Sequence, residues 1–276
     1  MINDDTNNYF KEKARFVRNK VLDMIVLAKK GHIGGAFSCT DIIVSIYYSG
    51  FLNFKSNSPK CKERDRFILS KGHSCAALYV VLADLGFFPI SELDTFCKNN
   101  SRLEGHPDIN IPGIDVTTGS LGQGLSIGSG MALSAKLDNK NFKTIVLLGD
   151  CECHEGSVWE SIMFSGHHKL DNLIAIVDYN KQCATDFAED IINLNSIVDK
   201  WKAFNWNIIT INGHSFYELL NAFNDIKKCN IQKPTVIIAE TVKGKGVSFM
   251  ERELIWHHTV PNGDNIAIAK KELLKK

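Results

Sequence analysis

The stretch Thr144-Ile-Val-Leu-Leu-Gly-Asp150 decides the fold, because a continuous apolar run ends there in a glycine and an aspartate. A short run that is apolar at every position is typical of a parallel strand buried on both faces of a sheet. A helical pattern follows over residues 157–168, and a second apolar run follows over residues 173–177. This order of strand, helix and strand predicts an α/β fold with a mainly parallel sheet flanked by helices.

The alternation continues toward the carboxyl end of the chain. Two more strands are predicted over residues 206–211 and 235–239, with a helix over residues 217–228 between them. The first 140 residues instead indicate helices and loops. The helices predicted there cover residues 10–30, 38–48, 76–85 and 121–137, with Ser38 or Thr40 as the cap of the second. No repeat or linker interrupts the sequence, so we expect a single domain over residues 1–276.

Composition excludes several classes of protein. Of the 276 residues, 44% are hydrophobic and 23% are charged, which is typical of a globular protein and not of a disordered one. The net charge of +1 gives no reason to expect a nucleic-acid partner. No apolar run approaches the roughly 20 residues that cross a membrane. The polar, acidic start of the chain is unlike a signal peptide, so we expect a cytoplasmic protein.

Eight cysteines are scattered through the sequence, and a cytoplasmic setting favours free thiols over disulfides. They are Cys39, Cys61, Cys75, Cys97, Cys151, Cys153, Cys183 and Cys229. The one tight cluster is Cys151-Glu152-Cys153-His154, and no second pair of ligands with similar spacing follows it. A structural zinc site is therefore not favoured.

Polar residues follow the first two predicted strands of the second half. Gly149-Asp150 follows one strand and Asp178-Tyr179-Asn180 follows the next. Because the carboxyl ends of parallel strands share one edge, where ligands bind, Asp150 and Asn180 are expected to lie close together. A carboxylate and an amide oxygen suit Mg²⁺, which takes oxygen ligands. The spacing alone equally allows Asp150 to be a helix cap and Asn180 a turn residue.

Five motifs surround this pair in order along the chain. They are Gly31-His32-Ile33-Gly34-Gly35, Lys71-Gly72-His73-Ser74, Gly105-His106-Pro107-Asp108, Thr117-Thr118-Gly119-Ser120-Leu121-Gly122 and Lys243-Gly244-Lys245-Gly246. With Gly149-Asp150 and the distant Asn180, which resemble a thiamine diphosphate motif, the sequence resembles transketolase. The matches run from about residue 15 to about residue 260, nearly the whole chain.

The resemblance is to the N-terminal, thiamine diphosphate-binding (PP-type) subunit of a split transketolase. It implies an enzyme, a transferase that moves a two-carbon ketol unit from a ketose or ketose phosphate to an aldehyde acceptor. It also implies that the pyrimidine-binding and C-terminal domains, absent here, belong to a companion chain. The active assembly would hold two copies of each chain, and the present chain would be inactive alone.

The resemblance further implies which residues hold the cofactor. The side chains of Asp150 and Asn180 and the backbone carbonyl of Gln182 would bind Mg²⁺. The residues expected to contact thiamine diphosphate are Gly119, Leu121, Gly122, Gly149, Asp150, Cys151 and Asn180.

Four histidines and one glutamate are the catalytic residues that the resemblance implies. Imidazole suits proton transfer to and from sugar oxygens, because its ordinary pKa lies near neutral pH. His32 and His257 would lie near the hydroxyl whose proton moves when the sugar is cleaved. His106 would lie near the C1 hydroxyl of the donor, and His73 near the thiazolium and diphosphate. Glu155 would link two cofactor sites across a dimer, or would be a charge at a helix start.

Four departures from the family pattern cluster at this site. Cys151 stands where the family has glycine, and Cys183-Ala184-Thr185-Asp186 replaces the usual residues after Gln182. Ser120 stands where proline is common, and His258 replaces a usual glycine. If position 151 needed a positive φ, cysteine would cost about 1 kcal/mol. The departures leave two alternatives open, a decarboxylating carboligase that uses a 2-oxo acid donor, and a non-catalytic scaffold subunit.

Overall fold

A computed structural model describes residues 3–228 and 231–274, and a five-stranded sheet forms its centre. The strands are β1 (Arg66–Leu69), β2 (Thr144–Gly149), β3 (Leu173–Tyr179), β4 (Asn207–Asn212) and β5 (Thr235–Glu240). Neighbouring strands are parallel throughout, in the order β1-β2-β3-β5-β4. The predicted α/β fold with a parallel sheet is confirmed.

Helices cover both faces of this sheet. The helices of ten or more residues are α1 (Asp4–Ala28), α2 (Ile33–Tyr48), α3 (Cys75–Asp84), α4 (Gln123–Leu137), α5 (Gly156–His167), α8 (Phe216–Lys228) and α9 (Asp264–Leu274). The shorter α6 (Ala188–Ile191) and α7 (Ile197–Ala203) lie between β3 and β4. Short 3₁₀ helices form at Gly72–Ser74, Ile90–Thr95, Cys151–His154 and Leu254–His257.

Alternate side chains of each central strand enter two separate apolar cores. In β2, Ile145 and Leu147 join the core formed mainly with α1, α2, α3 and α8. Val146 and Leu148 point the other way and join the core formed with α4, α5 and α7. Because both faces are buried, every position of the strand is apolar, which explains the continuous run in the sequence.

The predicted start of the second helix is wrong. α2 begins at Ile33, so Ser38 and Thr40 lie inside the helix and are fully buried instead of capping it. The helix is buried from Ile33 to Tyr47 on all sides, so it lacks the amphipathic pattern by which helix ends are recognised. Gly34 lies in its first turn, and a side chain is excluded there because a Cβ would sit 2.8 Å from the backbone oxygen of Trp256.

One strand was not predicted from the first half of the sequence. β1 has four residues and pairs only with β2, at the edge of the sheet. So short a run gives little periodic signal. Two helix starts also differ from prediction, since α1 begins at Asp4, capped by the Asn3 side chain, and α4 begins at Gln123 after Gly122 (φ 82°).

Within the described residues, no helix is both long enough and apolar enough to cross a membrane. Cys229 lies outside the described residues.

Candidate active site

Asp178, at the end of β3, organises the carboxyl edge of the sheet. Its side chain is fully buried and accepts hydrogen bonds from Ser38 Oγ at 2.5 Å, from Lys71 Nζ and from Thr241 Oγ1. Burial alone would raise the pKa of this carboxyl, but the neighbouring Lys71 ammonium lowers it instead. This buried ion pair joins β3 to α2, to the segment after β1 and to the segment after β5.

The three residues predicted to bind a cation meet at the same edge. Asp150 is buried, and its carboxylate accepts hydrogen bonds from the backbone N–H groups of Cys151 (2.8 Å) and Lys181. The Asn180 side-chain oxygen accepts from the backbone N–H of Gln182 at 3.1 Å. Asp150 therefore does cap the segment that follows it, and Asn180 does form a turn contact. These same contacts bring the oxygen-bearing residues together.

The charge on Asp150 is held in an unfavourable environment. Burial, with a smaller contribution from the nearby Asp178 charge, raises the pKa of Asp150 to about 6. A buried carboxylate with a raised pKa is one that a cation would stabilise strongly. The donor set of carboxylate, amide and carbonyl oxygens is that of a hard cation such as Mg²⁺.

Lys243 is a residue of this edge to which sequence reasoning assigned no role. Its Nζ is buried and donates to the backbone carbonyls of Cys183 and, at 3.4 Å, of Gln182. Burial and the nearby Lys71 charge lower the pKa of Lys243 to about 8. The Lys-Gly-Lys-Gly motif was the sequence feature that could have pointed to Lys243, because it lies in the segment that follows β5.

The four predicted catalytic histidines form one cluster around His32. The ring centroid of His32 lies 5.2 Å from that of His73, 6.3 Å from that of His106 and 5.3 Å from that of His257. A fifth ring, His258, lies closest at 4.7 Å. His258 was not among the residues predicted to be catalytic, and it stands where the family has glycine. The structure nevertheless places its ring in the cluster.

Burial and the charges of neighbouring groups keep three of these imidazoles neutral, those of His32, His73 and His257. Burial, followed by the charges of His258 and His106, lowers the pKa of His32 to about 4. Burial and Lys243 lower the pKa of His257 to about 3, and burial and Lys71 lower the pKa of His73 well below its ordinary value. Neutral imidazoles at neutral pH can accept protons from substrate hydroxyls.

The Gly119–Gly122 loop lies between the histidines and β2. A Cβ on Gly119 would sit 3.3 Å from the His106 ring, and one on Gly122 would sit 2.6 Å from the Cβ of Glu155. Leu121 is half-buried beside them and Glu155 is exposed. The glycines therefore permit close packing around the site.

Glu152 holds this loop, and sequence reasoning missed it. Its buried carboxylate accepts hydrogen bonds from the backbone N–H of Gly122 (2.9 Å), from that of Gly149 (3.0 Å) and from Ser70 Oγ. One side chain thus connects the segments after β1 and β2 to the glycine loop. A charged residue inside a cysteine-rich tetrapeptide gave no sign of this burial.

The expectation of free thiols is wrong for one pair, because Cys151 and Cys183 form a disulfide with their Cα atoms 5.4 Å apart. They are 32 residues apart in sequence, and adjacent strand ends bring them together. Cys151 starts a 3₁₀ helix and lies outside the set of positive-φ residues, so the strain considered for cysteine at this position does not arise. Cys153 points away, toward the Gly149 carbonyl at 3.5 Å.

His214 has a structural role. Its Nε2 accepts a hydrogen bond from the Val242 N–H at 2.8 Å, and its Nδ1 contacts the Asp41 carboxylate at 2.6 Å. It therefore ties the segment after β4 to α2 and the segment after β5, outside the histidine cluster.

Nearly the whole chain matches a known protein family. Residues 10–274 match the family described as transketolase, thiamine diphosphate binding domain. The chain is 41% identical over 259 residues to an apulose-4-phosphate transketolase subunit of Phocaeicola vulgatus, covering 94% of this chain and 92% of that protein. It is 40% identical over 247 residues to a 6-deoxy-6-sulfo-D-fructose transketolase subunit of Clostridium sp. (strain MSTE9), covering 89% of each.

A solved structure gives the same result for the fold. The crystal structure of transketolase from Campylobacter jejuni superposes with a TM-score of 0.90 at 30% identity. The match covers 96% of this chain and 43% of that chain. The present chain therefore corresponds to less than half of the longer enzyme.

Proposed function

Because this chain belongs to the transketolase family through its thiamine diphosphate-binding domain, we propose that it is the N-terminal subunit of a transketolase-like transferase. It would transfer a two-carbon ketol unit from a ketose or ketose phosphate to an aldehyde. The observation that carries the proposal is a histidine cluster, in which the pKa values of His32, His73 and His257 are lowered, beside a buried oxygen-ligand set. The described His257 Nδ1 is buried there without a hydrogen-bond partner, as expected of a group that awaits a ligand.

The residues at the sheet edge fit a metal diphosphate. Asp150, Asn180 and the carbonyl of Gln182 would hold Mg²⁺, which offsets the phosphate charge beside the buried carboxylates. Cys151, Gly149 and the Gly119–Gly122 loop would contact the diphosphate of thiamine diphosphate. When bound, thiamine diphosphate supplies the carbon nucleophile that sugar cleavage requires.

The histidines would bind and move protons around the sugar. His32 and His257, neutral at neutral pH, would take and return the proton of the hydroxyl at the cleaved bond. His106 would hold the C1 hydroxyl of the donor, and His73 would orient the thiazolium and diphosphate. Glu155 is exposed beside the glycine loop, where it could reach a second copy of the chain.

A companion chain would complete the site. We propose that residues 1–276 form one domain and that the pyrimidine-binding and C-terminal domains come from a second polypeptide, with two copies of each chain. The naming of two relatives as transketolase subunits supports this arrangement. A cavity of about 600 Å³ is lined by Asp150, Asn180 and Gln182, among other residues. The cytoplasmic location stays a prediction from the sequence.

The alternatives are less well supported. The relatives named above are transketolases, which favours ketol transfer over a decarboxylating carboligase with a 2-oxo acid donor. The full set of oxygen ligands and imidazoles argues against a scaffold without chemistry. The Phocaeicola and Clostridium proteins are named for apulose 4-phosphate and a sulfofructose, so an anionic ketose is the donor class that we propose here.

Calorimetry tests the proposal. Thiamine diphosphate and Mg²⁺ are titrated into the chain assembled with a companion that carries the pyrimidine-binding domain. We expect saturable, Mg²⁺-dependent binding, which Asp150→Ala abolishes and the exposed control Asp190→Ala retains. Turnover of xylulose 5-phosphate with ribose 5-phosphate, compared with pyruvate as donor, then separates ketol transfer from carboligation. Absence of cofactor binding by the assembled wild type would end the catalytic proposal.

A further inference from the structure

Two of the departures from the family pattern contact each other. Cys151 replaces the glycine that normally follows the motif aspartate, and Cys183 belongs to the altered segment after Gln182. In the sequence they are two separate departures from the family pattern, 32 residues apart. In the structure they are a single feature, a covalent bridge.

The bridge joins the two segments that carry the proposed cation ligands. Cys151 directly follows Asp150, and Cys183 directly follows Gln182, whose carbonyl is a proposed ligand. The Asp150 carboxylate accepts a hydrogen bond from the Lys181 N–H, and the Cys183 carbonyl accepts one from Lys243 Nζ. The disulfide thus adds a covalent tie to the hydrogen bonds that already hold these segments.

This pair differs from the other cysteines that the structure describes. Cys39, Cys75 and Cys153 are buried, while Cys61 and Cys97 are partly exposed, and all five are free thiols. Cys151 and Cys183 are both partly exposed, so a small thiol can reach them. His154 lies beside them, with its ring nitrogen and both sulfurs within 4.8 Å of one another.

We propose that Cys151 and Cys183 form a reversible dithiol–disulfide site whose redox state controls the order of the two cation-binding segments. The site exchanges with low-molecular-weight or protein disulfides. The redox site itself stands on the disulfide, whereas its consequence for cofactor binding rests on the proposed function.

Atoms and electrons balance in this exchange. A thiolate of the reduced pair attacks an external disulfide, which releases one external thiol and leaves a mixed disulfide on the protein. The second cysteine attacks the protein sulfur of that intermediate, forms the Cys151–Cys183 bond and releases the second external thiol. Two electrons pass to the external disulfide, and the two protons of the cysteines leave on the two released thiols. Excess external dithiol reverses both steps.

The bonded form favours cofactor binding. A cross-link restricts the relative motion of Asp150 and Gln182, so less freedom is lost when both bind one cation. Reduction restores that freedom and increases the ordering cost. We therefore expect the oxidised form to bind the Mg²⁺–thiamine diphosphate pair about threefold to tenfold more tightly than the reduced form.

Thiol labelling tests the site without any ligand. The purified chain is equilibrated in buffers of graded reduced-to-oxidised dithiothreitol, labelled with an alkylating agent under denaturing conditions and weighed by mass spectrometry. We expect a single transition between two species that differ by two labels, and peptide mapping should assign both to Cys151 and Cys183. Cys61→Ser keeps the transition, whereas Cys183→Ser and Cys151→Gly each remove it. A chain that carries both thiols free across the whole range overturns the proposal.

Hydrogen exchange tests the effect on the edge. Peptides that span residues 180–187 should exchange more slowly in the oxidised chain than in the reduced one, while peptides from α8 should not change. Cys151→Gly, which restores the family residue, should exchange like the reduced chain in either buffer. Equal exchange in the two redox states would show that the bridge does not order these segments.

Calorimetry of both redox forms, assembled with the companion chain, separates the two proposals. Tighter binding by the oxidised form supports the redox control. Equal binding by both forms contradicts that control and leaves the proposed function intact. Absence of binding by either form contradicts the proposed function, while the labelling and exchange results still decide whether the redox site exists.

Discussion

Two groups of buried titratable side chains lie at the carboxyl edge of the sheet, and they tolerate burial in different ways. Asp178 and Lys71 are almost completely inaccessible and keep their charges by pairing with each other. Burial lowers the pKa values of His32, His73 and His257, and the neighbouring imidazoles and lysines add to the effect, so these histidines remain neutral. The ion pair stabilises the segments around the site, whereas the neutral histidines can accept protons.

Breaking the ion pair should have the largest effect. Lys71→Met leaves the Asp178 carboxylate buried without its cation, and we expect the free energy of unfolding to fall by about 3–5 kcal/mol. Urea denaturation at pH 7 measures the loss. Lys136→Met, which breaks the exposed Lys136–Asp171 pair, should cost less than about 1 kcal/mol. Equal losses for the two variants would mean that burial does not separate these pairs.

Removing a neutral imidazole should affect turnover more than stability. His257→Asn should lower kcat of the assembled enzyme about 100-fold, because proton transfer loses its base. Its buried Nδ1 has no hydrogen-bond partner among the described residues, so the melting temperature should change little. Steady-state assays with a ketose donor measure the effect. His167→Asn, at an exposed position of α5, is the control, and a loss there of similar size would show that the assay reports folding.

Asp150 and the histidines should also respond oppositely to acid. A histidine whose folded pKa is lowered, such as His32 at about 4, binds its proton more readily in the unfolded chain. Its contribution to stability is therefore lost as pH falls from the ordinary value of about 6.5 toward 4. Asp150, with its folded pKa raised to about 6, binds its proton more readily in the folded chain and gains stability as pH falls below 6.

Urea denaturation of the cofactor-free chain between pH 7 and pH 4 tests this opposition. His32→Asn should flatten the acid loss of stability, and Asp150→Asn should steepen it. Parallel pH profiles for wild type and both variants would contradict the assigned shifts.

Substitution of His258 should have the smallest effect. Its charge is one cause of the lowered pKa of His32, so His258→Gly should move that pKa from about 4 upward, toward its ordinary value. A pH titration of the imidazole signals by NMR measures the change in the isolated chain. His168→Gly, outside the cluster, should leave the His32 titration unchanged. A His32 pKa that is insensitive to His258 would show that the His258 charge does not lower it.

The elements predicted best from the sequence are those with a regular pattern of apolar residues. The strands of the second half were predicted because burial on both faces makes every position apolar, and the order of strands and helices implied their parallel pairing. The start of α2 could not be predicted, because a helix buried on all sides has no polar face. β1 was missed because four residues carry too little pattern.

At the candidate site, the sequence predicted residues that would contact a ligand, but not those that support them. Asp150 and Asn180 were predicted from the ends of two adjacent strands, and the four histidines by resemblance. Glu152 and Lys243 hold the loops through backbone hydrogen bonds, which leave no periodic trace in a sequence. The Cys151–Cys183 contact depends on which strand ends are adjacent, so it emerges only from the three-dimensional fold.

His32 and His257 come from opposite ends of the described chain, and this has a consequence for synthesis. During translation, the amino-terminal half emerges first, but the first turn of α2 is covered by segments made much later. The Gly244 N–H donates to the Gly34 carbonyl at 3.1 Å, and the Trp256 carbonyl lies against the same turn. A nascent chain that stops before Lys243 therefore cannot assemble the imidazole cluster, so the proton-transfer groups come together only after residue 257 has left the ribosome.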